Sequence, residues 1–165
     1  MLARSMARER DPLDPTHTAH ISRHLVSVSS AVRLHVSDGL RERGHVPSAA
    51  TTHIVPNLPE SGLGMSALAA RAQLSLQRAG QLVQQLEDEG YVERVADAND
   101  GRARRVVYTR RGKRLLTDIE ELLEETTERF TAILGKRGFE RLQKDLEALD
   151  RALNGEEAGV RVVLG

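Results

Sequence analysis

Apolar positions recur along this chain with changing periods, and the changes mark its elements. Ile21, Leu25, Val28, Val32 and Val36 return at close to helical spacing and predict a long helix over residues 16–43, with Asp14 or Thr16 as N-cap and Gly44 as stop. Residues 47–55 read as a short helix with Pro47 in its first turn, where a missing N–H is harmless. Pro56 and Pro59 bar its continuation and predict a bend over residues 56–64, with Leu63 in a small strand. Met65, Leu68, Ala69 and Ala72 then mark an amphipathic helix, and after a break at Gln73 and Leu74 a second stripe runs through Leu76, Ala79, Leu82, Val83 and Leu86. Ser75 is placed to cap that second helix, and Gly90 to close it with a positive φ. Tyr91, Val92 and Val95, the turn signal Asn99-Asp100-Gly101, and Val106, Val107 and Tyr108 complete a β-hairpin.

Beyond the hairpin, residues 112–134 predict a helix with Leu115, Leu116, Ile119, Leu122, Leu123, Phe130 and Ile133 on one side. Glu120, Glu121, Glu124, Glu125 and Glu128 form its solvated face. Residues 135–138 break it. Phe139, Leu142, Leu146, Leu149 and Leu153 then follow at spacings of three, four, three and four, a heptad seam better satisfied by a second copy of the chain than within one subunit. Residues 1–15 show no periodicity and are expected to be a mobile arm; Arg4, Arg8 and Arg10 there are more simply part of a frayed terminus than DNA contacts. The tail, residues 154–165, has no assignment. The expected fold is mainly α with a small β-hairpin: a winged helix-turn-helix over residues 47–110, helical dimerisation segments over 16–46 and 111–153, and one compact domain overall.

Composition refines this picture. With two Tyr, two Phe and no Trp, the core must be aliphatic, which suits helices. The absence of cysteine excludes disulfides, thiolate zinc sites and thiol-based sensing. No apolar run approaches the ~20 residues that span a bilayer, so no membrane association and a cytoplasmic location are expected. Formal net charge is +0, unlike a typical nucleic-acid-binding domain, but its distribution is uneven. Residues 61–115 hold ten Lys or Arg against six Asp or Glu, whereas residues 116–157 hold six against twelve. The basic half is the one with the helix-turn-helix and hairpin. Between Arg102 and Arg114 there are seven cations and no acid, a cluster suited to neutralising phosphates and releasing counterions.

A helix-turn-helix followed by a hairpin places its second helix in the DNA major groove and its hairpin over the flank. Gln77, Arg78, Gly80, Gln81 and Gln84 lie off the apolar stripe of that helix, and Gln and Arg can pair adenine and guanine bidentately. Gly80 costs a helix interior about 1 kcal/mol relative to Ala, which points to a close approach there by DNA or another helix. The competing reading of this face is a merely solvated one.

Leu68-Ala69, the run Leu82-Val83-Gln84-Gln85-Leu86-Glu87, Gly90-Tyr91-Val92-Glu93-Arg94, Asp100-Gly101-Arg102, and Thr109 with Gly112 resemble, in order and spacing, the MarR-type transcription regulators. These motifs occupy about a third of the chain. The resemblance implies a dimeric, double-stranded-DNA-binding regulator, a repressor acting on a pseudo-palindromic operator, with intertwined terminal helices. It also implies that Asp100 holds Arg102, which enters the minor groove; Arg104 and Arg105 are DNA-binding candidates from the cationic run alone. The wing departs from the usual Asp-Arg-Arg in having Gly101 at its middle position, and Gly64 stands where the first helix usually has a Thr or Ser cap. The rival function is a winged-helix module for protein contacts without specific DNA binding.

In the family it resembles, ligands, often aromatic acids, bind where the long first helix, the short helix and the post-wing helix meet, and reset the spacing between lobes. His24, Arg33, His35 and His53 are the polar groups expected there for a small-molecule effector. His17, His20 and His24 share a stripe that continues to His35, but they leave zinc a ligand short, so no metal and no cofactor are expected. No phosphate loop, nucleophile elbow or other catalytic arrangement occurs, so an enzyme is not expected.

Overall fold

The computed structural model describes residues 21–97 and 104–155. Helix α1 (Ile21–Glu42) is followed by α2 (Ala49–Ile54), a single 3-10 turn (Val55–Asn57), strand β1 (Leu63–Gly64), helices α3 (Met65–Arg71) and α4 (Leu76–Asp88), strands β2 (Val92–Ala96) and β3 (Arg104–Tyr108), and the long helix α5 (Arg110–Asn154). The architecture is a mostly helical winged helix, as expected from the sequence pattern.

The predicted first helix is present from Ile21; residues 16–20 lie outside the described ones. Only the end of its apolar stripe is covered: Val36 is buried with Leu40, whereas Ile21, Leu25 and Val28 are exposed. The short helix starts later than its sequence suggests. Ser48 has an extended backbone (φ −146°) and forms a reciprocal capping box with Thr51, so Pro47 falls before the cap and outside the first turn. A threonine at the third helical position, in place of the usual Glu or Gln, hid that box. Pro56 does stop the α-helix, but the chain completes the 3-10 turn, and the Leu58 N–H returns to the Ile54 carbonyl (3.0 Å) before it turns away.

Helix α4 is bounded as its sequence predicts. Ser75 Oγ accepts the Arg78 N–H (3.1 Å), and Gly90 takes φ +75°, which a residue with a Cβ rarely adopts. In the preceding turn Gln73 itself has φ +56°. The three strands form one antiparallel sheet in the order β1-β3-β2, with Arg94 opposite Val106 and Ala96 opposite Arg104. Leu63 pairs with Val106, so the small third strand expected there exists.

Helix α5 begins at Arg110, two residues earlier than expected, because Thr109 Oγ1 caps it by accepting the Gly112 N–H (3.1 Å). Gly135 (φ +70°, ψ 157°) kinks it, as the glycine pair predicts, but Gly138 remains helical. The core lies under the winged helix, where Ile54, Leu68, Val83, Leu86, Tyr91, Val106 and Leu115 are fully buried. Beyond the kink no side chain of α5 is fully covered by the described residues: Phe139 is half-buried, and Leu142, Leu146, Leu149 and Leu153 are 37%, 42%, 49% and 80% exposed, so the heptad seam is an open apolar face.

Candidate nucleic-acid interface

Helix α4 packs Ala79, Leu82, Val83 and Leu86 inward, which turns Gln77, Arg78, Gln81 and Gln84 outward on an exposed face. A Cβ added at Gly80 would meet open space, so no other part of the described chain requires a glycine there. Some of these side chains already interact. Arg78 Nη1 reaches Gln81 Oε1 at 3.4 Å, a long contact, while Gln84 donates to Asp88 Oδ1 (3.0 Å) and accepts from Arg94 Nη1 (3.0 Å). Arg94, on β2, is also bonded to the Glu87 carboxylate through both its backbone N–H (3.1 Å) and its guanidinium.

The cationic run after the wing separates into two kinds of residue. Arg105 donates to the carbonyls of Ser61 (3.1 Å) and Gly62 (2.7 Å) and lies 3.5 Å from Asp97, so it braces the base of the wing. Arg111 sits 5.0 Å over the Tyr91 ring and donates to the Gly44 carbonyl (3.2 Å). Arg104, Arg110 and Lys113 are exposed, as Arg111 is apart from these contacts. Asp100 and Arg102, expected at the wing tip, lie outside the described residues.

A buried polar junction joins the lobe to the long helices, and sequence reasoning missed it. His45 Nε2 meets Asp118 Oδ2 at 2.6 Å, His45 Nδ1 meets the Tyr91 hydroxyl at 3.2 Å, and that hydroxyl accepts the Val46 N–H (3.0 Å). Its members come from the loop after α1, the residue before β2 and α5, and 73 residues separate His45 from Asp118, so no local pattern announces it. Arg43 adds a second tie across the same helices through the Asp118 carbonyl (2.7 Å) and Glu125 (3.0 Å). Nearby, the Tyr108 hydroxyl donates to the Val55 or Leu58 carbonyl, and burial, then the charge of Glu60, pushes its pKa well above the ordinary value.

The residues expected around an effector do not converge. A cleft of about 430 Å³ opens between α1 and α5, lined by Leu34, His35, Asp38, Arg43, Glu125 and Arg129 among others. His35 is the sole one of the four expected groups on its wall. His24 is exposed near the start of α1, Arg33 bonds Ser30 Oγ (3.1 Å), and His53 lies on α2, which does not line the cleft. His35 Nε2 stands 3.2 Å from Glu125 Oε2 without the alignment of a hydrogen bond.

Residues 53–103 match the MarR family. No curated protein matches the chain. Among solved structures, the transcriptional regulator Tm0710 from Thermotoga maritima is 26% identical, with a TM-score of 0.58 over 80% of this chain and 92% of that one. A single-residue mutant of S. aureus MepR bound to oligodeoxyribonucleotide is 18% identical, with a TM-score of 0.57 over 82% and 99%. A structure of MarR is 17% identical, with a TM-score of 0.63 over 81% and 97%. At such low identity the last two speak for the shared fold alone.

Proposed function

We propose, from the MarR-type winged helix that this chain carries over residues 53–103, that it is a DNA-binding transcription regulator acting as a homodimer. The observation that carries this reading is the outward face of α4, where Gln77, Arg78 and Gln81 stand exposed beside a wing strand bearing exposed Arg104. Such a face offers bidentate partners to base edges and cations to the flanking phosphates. Arg102 is assigned to the minor groove, with Asp100 as its partner, on its place in the motif alone. The open seam from Leu142 to Leu153 supports the dimer, because an apolar face of that length is stabilised by burial against a second copy.

Repression of a target promoter and release by an effector are the finer parts of the proposal. The cleft between α1 and α5 supports an effector, since it adjoins the helices that hold the lobe and has a poorly satisfied imidazole nitrogen on its wall. Its lining mixes His35, Arg43 and Arg129 with Asp38, Glu42 and Glu125, so an aromatic acid and an aromatic cation are both to be tried. An effector releases DNA only through its different affinities for the bound and released arrangements of the lobes.

The rival is a winged helix used for protein contacts. Titration of the full chain with genomic duplex fragments at several salt concentrations separates the two. A DNA reader loses affinity steeply as salt rises, with log K falling by about 0.9 for each phosphate neutralised per unit of log salt. No binding, or binding indifferent to salt, rejects the DNA-reading function.

A further inference from the structure

The helical period places Gln84 on the same outward stripe as Gln77 and Gln81, at positions i, i+4 and i+7. Its side chain is nevertheless committed elsewhere. A glutamine that reads adenine must use both ends of its amide, accepting from the base N6 amino group and donating to N7. In Gln84 the carbonyl oxygen accepts from Arg94 Nη1 at 3.0 Å and the amide nitrogen donates to Asp88 Oδ1 at 3.0 Å. Both partners are charged, and charge-assisted hydrogen bonds are roughly twice as strong as neutral ones. Position argues the same way: Gln84 lies about 12 Å along the axis from Leu76, whereas base contacts of a recognition helix come from its N-terminal part.

Arg94 explains what this arrangement is for. Its backbone N–H and its guanidinium both bond the Glu87 carboxylate, and its second amino group lies 3.5 Å from the Gly80 carbonyl. The Arg94 and Glu87 side chains are 26% and 19% exposed, so water competes with this pair less than with a surface ion pair. Gly80, Gln84 and Glu87 recur at i, i+4 and i+7, the side of α4 turned to β2. One arginine of the wing therefore grips two turns of the recognition helix and fixes the angle between them.

Resting on the DNA-reading function above, we propose that Gln84 and Arg94 are positioning residues that lock the wing to the recognition helix, and that base preference resides in Gln77, Arg78 and Gln81. Selection from randomised duplexes, hydroxyl-radical footprinting and affinity measurement on the full chain test this with four variants. Gln84→Ala keeps every enriched base position and weakens binding to all sequences alike, by less than Arg94→Met does, because Arg94 keeps its Glu87 partner. Gln81→Ala loses preference at defined positions, by roughly tenfold at the matched base. Arg94→Met weakens binding to all sequences alike, keeps the same preferred bases and loses protection of the flank under the wing. Glu87→Gln does the same while disturbing packing less, so a poorly folded Arg94→Met does not spare the proposal. A changed base preference in Gln84→Ala, or full flank protection in Glu87→Gln, overturns it. If the wild-type chain enriches no sequence at all, the DNA-reading premise falls and takes this assignment with it; if the wild type enriches a site and Gln84→Ala alters it, this assignment alone falls.

Discussion

Gly112 is the position where the least chemistry decides the most. A Cβ there would stand 1.9 Å from the Tyr91 carbonyl oxygen and 2.9 Å from the Tyr108 ring, and that carbonyl cannot simply retreat because it accepts the Thr109 N–H (3.0 Å). Gly112→Ala is therefore expected to cost about 3 kcal/mol, measured as a lowered urea midpoint at unchanged slope. Wild-type stability in that variant would mean that the start of α5 is not seated against the Tyr91 carbonyl and the Tyr108 ring. A second expectation concerns Tyr108. Its pKa is raised in the folded chain, so the folded state holds its proton at a pH where the unfolded chain has released it. Stability is then undiminished below the ordinary tyrosine pKa of about 10 and falls as pH rises beyond it. Tyr108→Phe should start from a lower melting temperature, having lost a hydrogen bond, but should show a shallower alkaline decline; an equally steep decline would contradict the assignment. At this scale the sequence was only partly legible. The capping role of Ser75 and the positive φ of Gly90 follow from residue type and place, but His45, Asp118 and Tyr91 meet only through tertiary structure. Arg105 shows the same limit, since a cation in a basic run reads as a phosphate ligand until its carbonyl partners are seen.

Among the elements, those with a strong period were predicted with least error. The stripe from Leu76 to Leu86, the hairpin strands and the glycine kink in α5 all follow from spacing and turn chemistry. The failures lie at boundaries: α2 begins after Ser48 because its capping box uses Thr51, and α5 begins at Arg110 because Thr109, seen at first only as a motif residue, is its cap. The second half of α5 carries the clearest element-scale prediction. Leu142, Leu146 and Leu149 lie on one face that the described residues leave exposed. Leu146→Asp should abolish self-association in analytical ultracentrifugation and, with it, tight DNA binding, because burying a carboxylate against leucines is far costlier than leaving it in water. A variant that stays dimeric would show that this seam is not the interface.

For the molecule as a whole, the charge is unevenly divided between the two ends of the fold. The basic half holds the recognition helix and wing; the acidic half is α5, whose glutamates face solvent or, as Glu125 does, tie down Arg43. Between them lies the polar junction of His45, Asp118 and Tyr91, which links the position of the winged helix to the long helices that would form the dimer. The cleft was the least legible feature, because polar residue type alone cannot say which helices will leave space between them. It opened between α1 and α5 and kept only His35 of the expected four. Two recognition helices related by a two-fold axis must read two copies of one half-site in inverted orientation. Selection of randomised duplexes by the wild-type chain tests that claim most directly. The expected product is a pseudo-palindrome whose half-sites lie about 10 base pairs apart, centre to centre. Enrichment of a single unrepeated element, or of no sequence, would contradict a dimeric DNA-reading regulator.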